Sequence, residues 1–330
     1  PWLCNPVGTS PVKYCDGSIV VDSNGNGDYT TIQAAIDNAT AGDTIKVWAG
    51  TYNEDILVNK TLTLIGNGTT SSIINGTASS NFIVKFDTSW ANFSGFKIQT
   101  SSNGRVHFWS GDNITISNNL FVNISHNNCA LKVSGKNHRI LNNTFTNNDC
   151  GMWLTDNPRG SIISNNTFIN NDQSGIIIDS SSSSVVAPYF TISNNIIENN
   201  GLCGILFKST NGDYIIIKNN TIKNNGEDPD SSDYGGIYIY GSYNVVTNNT
   251  ISGNFDTGIW IYGGNNKIKN NIIEDNAENG IMVGGATNTI MNNTISGSEY
   301  GIYHKAGENM VNTRIENNTI SDNDNGIWFV

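Results

Sequence analysis

One stretch of the sequence gathers the histidines and charged side chains that acid–base catalysis would need. Imidazole and carboxylate groups exchange protons near neutral pH, so a cluster of them beside a substrate is a candidate active site. The plainer interpretation is that these are ordinary surface groups. The candidate catalytic residues are Arg105, His107, Trp109, His126, Lys132, His138, Asp149 and Asp156.

The segment Asp22–Asp28 is similar to the beginning of a calcium-binding loop. Such loops supply carboxylate and carbonyl oxygens at alternating positions and end on a bidentate glutamate at the twelfth position. Here the twelfth position is Gln33, so we favour a simple turn and keep Ca²⁺ as the alternative. The acidic insert at residues 227–233 is interpreted as a solvated loop first and a cation site second. No other cofactor is expected.

Aromatic residues recur at the outward positions of successive short strands and form an apolar stripe. Such a stripe could stack on sugar rings or pack against another subunit. It exceeds what a soluble monomer normally exposes, although aromatic residues also suit strands in general and a loop could cover them. The interface or glycan-stacking residues predicted from it are Trp153, Tyr238, Tyr240, Trp260, Tyr262, Tyr303 and Trp328.

Thirteen Asn-x-Ser/Thr sequons predict N-glycosylation and hence an extracellular protein. With 55 Asn and 61 Ser plus Thr in 330 residues, composition alone gives about ten matches, so the number by itself is weak evidence. Their position adds weight, because six of them fall at one point of a repeat. The predicted sites are Asn38, Asn59, Asn67, Asn75, Asn92, Asn113, Asn123, Asn142, Asn165, Asn219, Asn248, Asn292 and Asn317.

The five cysteines contain no CxxC pair, so neither a zinc site nor a thioredoxin-type site is supported. Cys129, Cys150 and Cys203 each precede the start of a repeated strand and should occupy one column. The first two lie on neighbouring repeats, which predicts a disulfide between them. We also predict a Cys4–Cys15 loop, and for Cys203 a buried thiol rather than an intermolecular partner. Disulfides agree with an oxidising compartment.

A repeat positions these candidates. Asn pairs recur at intervals of 22 to 29 residues, and a Gly-aliphatic strand usually follows about ten residues later. Units with two or three short strands and no helix must stack to bury a core, which predicts an all-β fold, a single-stranded right-handed parallel β-helix. Alternation places the second Asn of each pair inward, as a ladder of stacked amides, and the first Asn outward. The pairs begin at Asn118, Asn142, Asn165, Asn194, Asn219, Asn248, Asn270, Asn292 and Asn317.

The N-terminal region departs from the repeat. Residues 29–38 have helical apolar spacing with Thr30 or Thr31 available as N-cap, which predicts a helix that caps the solenoid. Residues 1–18 are assigned to an extension, and residues 19–330 to the β-helix domain.

Composition excludes several classes of protein. Only 14% of residues are charged, against roughly 25% in an average soluble domain. The net charge is −11 and Lys and Arg form no run, so neither a nucleic acid nor an anionic membrane is expected as a partner. No apolar stretch approaches the ~20 residues of a membrane span. The start at Pro1 suggests a secreted chain without its signal peptide, and the unfinished last repeat predicts end-to-end self-association.

The segments Asp28–Ile36, DYTTIQAAI, and Ala49–Glu54, AGTYNE, resemble the pectin-lyase-like right-handed β-helix superfamily. The repeats are similar to those of archaeal and bacterial surface proteins and of the copper-loading periplasmic family. This resemblance implies the fold over roughly residues 19–330, in a superfamily that holds lyases, hydrolases, esterases, epimerases and non-enzymes. The sequence has no Asp-Asp pair, Gly-His-Gly or Asp-Pro-His-Glu, so no catalytic residue is carried over from those enzymes.

The sequence thus predicts an extracellular, glycosylated structural β-helix protein, of the kind that serves as a self-assembling filament, sheath or surface-layer subunit rather than an enzyme. The alternative is a carbohydrate-active enzyme or a glycan-binding module.

Overall fold

The computed structural model describes residues 16–77, 81–100, 104–124, 129–156, 158–179, 190–208, 214–226, 235–305 and 310–329. Within them, three parallel sheets of 13, 12 and 12 strands wind into one solenoid, and each turn adds one strand to each sheet in the order 1, 2, 3. The predicted all-β parallel β-helix is therefore confirmed. The expected Cys4–Cys15 loop lies outside the described residues.

Sheet 1 carries the first strand of each turn. Its strands are Ile19–Val21, Thr44–Val47, Thr63–Gly66, Asn92–Ser94, Thr115–Ser117, Arg139–Leu141, Ile162–Ser164, Thr191–Ser193, Ile216–Lys218, Val245–Thr247, Lys267–Lys269, Thr289–Met291 and Arg314–Glu316. Sheet 2 follows after a corner of two residues, or of five between Gly66 and Ser72. Its strands are Gly50–Tyr52, Ser72–Gly76, Lys97–Thr100, Leu120–Val122, Thr144–Thr146, Thr167–Ile169, Ile196–Glu198, Thr221–Lys223, Thr250–Ser252, Ile272–Glu274, Thr294–Ser296 and Thr319–Ser321.

Sheet 3 completes each turn. Its strands are Ile56–Val58, Val84–Asp87, Val106–Ser110, Cys129–Ser134, Cys150–Thr155, Ile176–Asp179, Ile205–Phe207, Ile237–Ile239, Thr257–Ile261, Asn279–Val283, Tyr300–His304 and Asn325–Phe329. The strand registers place side chains of the same kind above one another on successive turns. In sheet 2, for example, the rings of Phe121, Phe145 and Phe168 stack inside the solenoid with centroids 4.5 and 4.7 Å apart. The core is thus a set of continuous columns.

The one helix within the described residues, Ile32–Asn38, is held at both ends by charged side chains of the solenoid. The Glu54 carboxylate accepts hydrogen bonds from the backbone N–H groups of the first two helical residues, at 2.8 and 2.9 Å. Lys60 Nζ donates to three carbonyls at the other end, at 2.8 to 2.9 Å. Opposite charges at the two ends match the helix dipole. Thr31 is the N-cap, and the helix packs on the first strands of sheets 1 and 3, where a cap was expected.

The corner between sheets 1 and 2 contains the predicted Asn ladder. At each level the first Asn adopts a left-handed conformation with φ between 54° and 58°, which Asn tolerates better than most residues. The second Asn is turned into the core. Asn220 Oδ1 accepts from the backbone N–H and the Nδ2 of Asn195, and Asn220 Nδ2 donates to the Ile192 carbonyl and to Asn249 Oδ1, all at 2.9 to 3.1 Å. Each amide therefore joins three consecutive turns.

A second Asn ladder, not anticipated from the sequence, runs along the corner between sheets 2 and 3. Asn200 and Asn225 repeat the same pattern, with Asn225 Oδ1 accepting at 3.1 and 2.9 Å. It lies against the Gly-aliphatic start of the later sheet 3 strands: a Cβ on Gly258 would lie 2.7 Å from the Gly280 carbonyl oxygen of the next turn and 2.9 Å from Asn276 Nδ2. The members of this ladder are Asn148, Asn171, Asn200, Asn225, Asn254 and Asn276.

The corner between sheets 3 and 1 places a histidine in the position that Asn occupies elsewhere. His138 is fully buried, and its ring centroid lies 4.8 Å from that of Phe108. Nδ1 accepts from the Ile114 backbone N–H at 3.3 Å, and Nε2 lies 2.9 Å from the Ser134 carbonyl, to which it donates in the matching tautomer. Burial lowers the pKa of His138 to about 4, although the Ser134 carbonyl and Asp112 act in the opposite direction. The ring is therefore a neutral structural group at pH 7.

We expect the stability of the fold to decrease as the pH falls from about 6.5 to about 4. An unfolded histidine takes up its proton near pH 6.5, whereas His138 in the folded chain does so only near pH 4. In that interval the unfolded chain binds more protons, so acid favours unfolding. Urea midpoints at pH 7, 5.5 and 4.5 measure the effect. His138→Asn keeps a side-chain acceptor for Ile114 but does not titrate, and should give a shallower decrease; an unchanged slope would contradict this role of His138.

Candidate functional site

Six sequon asparagines form an exposed column at the corner between sheets 1 and 2. They are the first Asn of their pairs, so their left-handed backbone turns the side chain to the outside while the next Asn enters the ladder. None of the six uses its side-chain amide in a hydrogen bond with a described residue. A sugar attached there would displace no contact of the fold. The column consists of Asn142, Asn165, Asn219, Asn248, Asn292 and Asn317.

The other seven sequons lie at scattered positions. Asn38, Asn59, Asn67, Asn92 and Asn123 are exposed, and Asn75 and Asn113 are half-buried. Some of these amides are engaged: Asn38 Nδ2 donates to the Ala34 carbonyl and Asn75 Nδ2 to Asn53 Oδ1, at 2.8 and 2.7 Å. The column at the first corner is therefore the more regular set of acceptors.

The structure joins Cys129 and Cys150, the pair expected on neighbouring turns, with an S–S distance of 2.07 Å and a Cα–Cα distance of 4.2 Å. Cys203 follows in the same column two turns further on, with Ser174 between them. It is a buried free thiol, and burial raises its pKa to about 12. Because the thiolate is the reactive form, Cys203 is not a nucleophile at neutral pH.

The aromatic stripe on the outer face of sheet 3 is not the open platform expected from its outward positions. Tyr238 is only 8% exposed and Trp260 only 3%. The reason is lateral packing: the two rings meet edge to face at 4.5 Å, and Lys305 Nζ lies 4.4 Å from the centre of the Trp260 ring. Trp153, Tyr240, Tyr262 and Tyr303 are half-buried, and Trp328 is exposed. The stripe is therefore mainly a second small core on this face.

A cleft of about 420 Å³ opens beside this cluster on the last turns of sheet 3. It combines aromatic rings with two carboxylates and one ammonium group. The indole N–H of Trp260 has no hydrogen-bond partner among the described residues. Rings flanked by hydrogen-bonding groups of this kind suit a sugar better than a purely apolar ligand. The lining residues are Trp260, Glu278, Asn279, Met282, Glu299, Tyr300, Tyr303 and Lys305.

The candidate catalytic residues are brought together only in part. His107 and Lys132 are neighbours on the outer face of sheet 3, and Lys132 Nζ lies 5.0 Å from the centre of the Trp153 ring. Burial lowers the pKa of His107 to about 4, and the positive charges of Lys132 and nearby residues act in the same direction. His138 belongs to the core, and Asp149 lies at the corner between sheets 2 and 3. His126 and the Trp109 side chain lie outside the described residues.

In the segment Asp22–Asp28, considered above as a turn or a calcium loop, the aspartate carboxylates accept hydrogen bonds from nearby N–H groups of the protein. Asp22 accepts hydrogen bonds from the backbone and side-chain N–H groups of Asn24 and Asn26, which lower the pKa of Asp22. Asp28 accepts from the Val20 backbone N–H at 2.7 Å. The arrangement is that of a self-capped turn. In the part of the chain that the structure describes, no three His, Cys, Asp or Glu side chains converge as a metal site, and no helix is long and apolar enough to cross a membrane.

Part of the sequence is similar to that of a known protein. The cell surface glycoprotein of Methanothermus fervidus is 41% identical over 99 residues, which are 29% of this chain and 16% of that protein. The chain therefore corresponds to a small part of the length of this relative.

Solved structures share the fold at low identity. The surface adhesin PfbA of Streptococcus pneumoniae superposes with a TM-score of 0.71 at 16% identity, covering 94% of this chain and 92% of the adhesin. The A-module of mannuronan C-5 epimerase AlgE6 of Azotobacter vinelandii gives 0.68 at 18% identity, covering 90% and 92%. An adhesin and an epimerase fit equally well, so this likeness shows the fold and not the activity.

The sequence matches two protein families. Residues 36–188 match the family described as periplasmic copper-binding protein (NosD). Residues 156–320, half of the chain, match the family described as right handed beta helix region. The chain therefore belongs to the right-handed β-helix family.

Proposed function

We propose that this chain is a structural module of a cell-surface glycoprotein and carries N-linked sugars on its exposed asparagines. The observation that carries the proposal is the column of six sequon asparagines, which are exposed and make no side-chain hydrogen bond within the described fold. The relative from Methanothermus fervidus, named as a cell surface glycoprotein, supports the same setting. The disulfide between Cys129 and Cys150 suits an oxidising exterior.

Sugars on the sequon column would also increase the solubility of this chain. Only 14% of residues are charged, so the surface needs another source of hydration. Sugars are bulky, solubilising surface groups, and a column of them along one corner would cover a long strip of the solenoid. End-to-end self-association stays a prediction, and a filament or sheath role depends on it.

Glycopeptide mapping of native material should find sugars on Asn142, Asn165 and Asn219. Asn194 and Asn270 are internal controls, because they occupy the same column with the same left-handed backbone but are not followed by a sequon Ser or Thr. They should be unmodified. Unmodified Asn142, Asn165 and Asn219 in native material would contradict the glycoprotein proposal.

A second candidate function is glycan binding in the cleft on sheet 3. It is favoured by the combination of the Tyr303 ring with the carboxylates of Glu278 and Glu299. The cleft has two acidic groups and one basic group, Lys305, so its charge favours a neutral sugar over a polyuronate.

Isothermal titration with neutral hexasaccharides, such as laminarihexaose and maltohexaose, tests this second function. We expect binding, weakened about two- to twelvefold by Tyr303→Ala, because one aromatic stacking contact contributes about 0.5–1.5 kcal/mol. Tyr303→Phe retains the ring and should bind nearly as well as the wild type. If no hexasaccharide binds, or if the two variants are equally weak, the cleft is not a stacking site.

A further inference from the structure

The few charges of this chain are segregated by side of the solenoid. Cations collect on the outer face of sheet 1, where six basic residues accompany a single acid, Glu316, although acidic residues outnumber basic ones 28 to 17 in the whole chain. We call this set the basic face. Its residues are Lys46, Arg139, Lys218, Lys267, Lys269 and Arg314.

Four cations of the basic face have no ion-pair partner among the described residues. Lys46 pairs with Asp16, and Arg314 pairs with Glu316. Arg139, Lys218, Lys267 and Lys269 make no such pair. Lys218 and Lys269 stand in one column of sheet 1 with Thr247 between them. Lys267 is next to Lys269, so three unpaired ammonium groups lie within three turns.

The opposite charge collects at the corner between sheets 2 and 3. From residue 147 to residue 324, the described residues of this corner include eight acidic side chains and no Lys or Arg. We call them the acidic edge. They are Asp149, Asp172, Asp256, Asp275, Glu278, Glu299, Asp322 and Asp324.

Four members of the acidic edge occupy equivalent positions on four consecutive turns. Asp256, Glu278, Glu299 and Asp324 each precede one of the aligned strand residues Thr257, Asn279, Tyr300 and Asn325. Neighbouring carboxylates in this column are separated by about one strand spacing, ~4.8 Å, and like charges at that position repel. They do not form a metal site among the described residues.

We propose that two copies of this chain pack side by side, with the acidic edge of one against the basic face of the other. The two charged surfaces lie on different sides of the solenoid, since sheet 1 is the sheet that does not border the acidic corner. Both occupy the same turns and share the same strand spacing, so parallel solenoids can match charges along their length. Each copy has one surface of each kind, so the contact is heterologous and generates an open row.

The side-by-side row adds a mode of assembly to the proposed cell-surface function. It rests on that function only for its biological setting. The sequon column lies at the corner between sheets 1 and 2, directly beside the basic face, since Asn219 follows Lys218, and away from the acidic edge. The charged surfaces can fail to associate while the glycosylation and surface role remain correct, because glycopeptide mapping does not depend on them.

Sedimentation equilibrium of the full chain tests the contact. At about 20 mM salt, where charges act over roughly 20 Å, the weight-average mass should rise with concentration to at least twice the 35.7 kDa of the monomer. At about 0.5 M salt it should return to the monomer value. A chain that stays monomeric at low salt overturns the proposal.

Charge exchange identifies the surfaces. The basic-face variant Lys218→Glu/Lys267→Glu/Lys269→Glu and the acidic-edge variant Glu278→Lys/Glu299→Lys/Asp324→Lys should each be monomeric at low salt. An equimolar mixture of the two should associate, because each supplies the charge that the other has lost. Lys97→Glu, on the outer face of sheet 2, is the control and should associate like the wild type. Association that persists in either triple variant, or a mixture that stays monomeric while both variants remain folded by circular dichroism, overturns the assignment.

A dissolved polyanion is the competing occupant of the basic face. If alginate binds the wild type and not the basic-face variant, while the wild type alone stays monomeric, the basic face holds an acidic polymer and the proposed self-contact is wrong.

Discussion

The structure depends on buried asparagine side chains that hydrogen-bond from one turn of the solenoid to the next. A short corner between strands of two different sheets leaves backbone N–H and C=O groups facing the core, where unpaired polar groups are costly. The amide has an acceptor and two donors, so one side chain satisfies the turn before it and the turn after it. Asn166, Asn195 and Asn220 show this in sequence, each at 2.8 to 3.1 Å from its partners.

The remaining features of each turn follow from these ladders. The residue before a ladder Asn at these two corners adopts a left-handed conformation, which favours Asn, with Gly at Gly253 and Asp at Asp275 as the alternatives. The start of a sheet 3 strand favours Gly because a Cβ there would crowd the carbonyl of the equivalent Gly on the next turn as well as the second ladder, as at Gly258. The outer Asn of the first corner is then free to become a glycan acceptor. A surface with few charges and many Asn is a direct consequence of this repeat.

The solenoid and the first ladder could be predicted because alternation in a short strand assigns each side chain to one face. The second ladder was missed because Gly253, Gly297 and Ser298 interrupt its Asn pairs, although the five-residue spacing from the first pair to the second was visible. The burial of Tyr238 and Trp260 was not predictable from alternation, since outward side chains on adjacent turns can still cover one another. The charged surfaces join residues 20 to 30 positions apart, so only the register of the turns reveals them.

The most direct test of the ladder is a pair of adjacent substitutions, Asn220→Ala and Asn219→Gly, compared by urea unfolding followed by far-ultraviolet circular dichroism. Asn220→Ala removes the acceptor for Asn195 and the side-chain donor to the Ile192 carbonyl, so the free energy of unfolding should fall by about 2–4 kcal/mol. Asn219→Gly keeps the left-handed turn and should change it by less than about 1 kcal/mol. Equal effects of the two substitutions would contradict the account, because they would show that the inward amide contributes no more than its exposed neighbour.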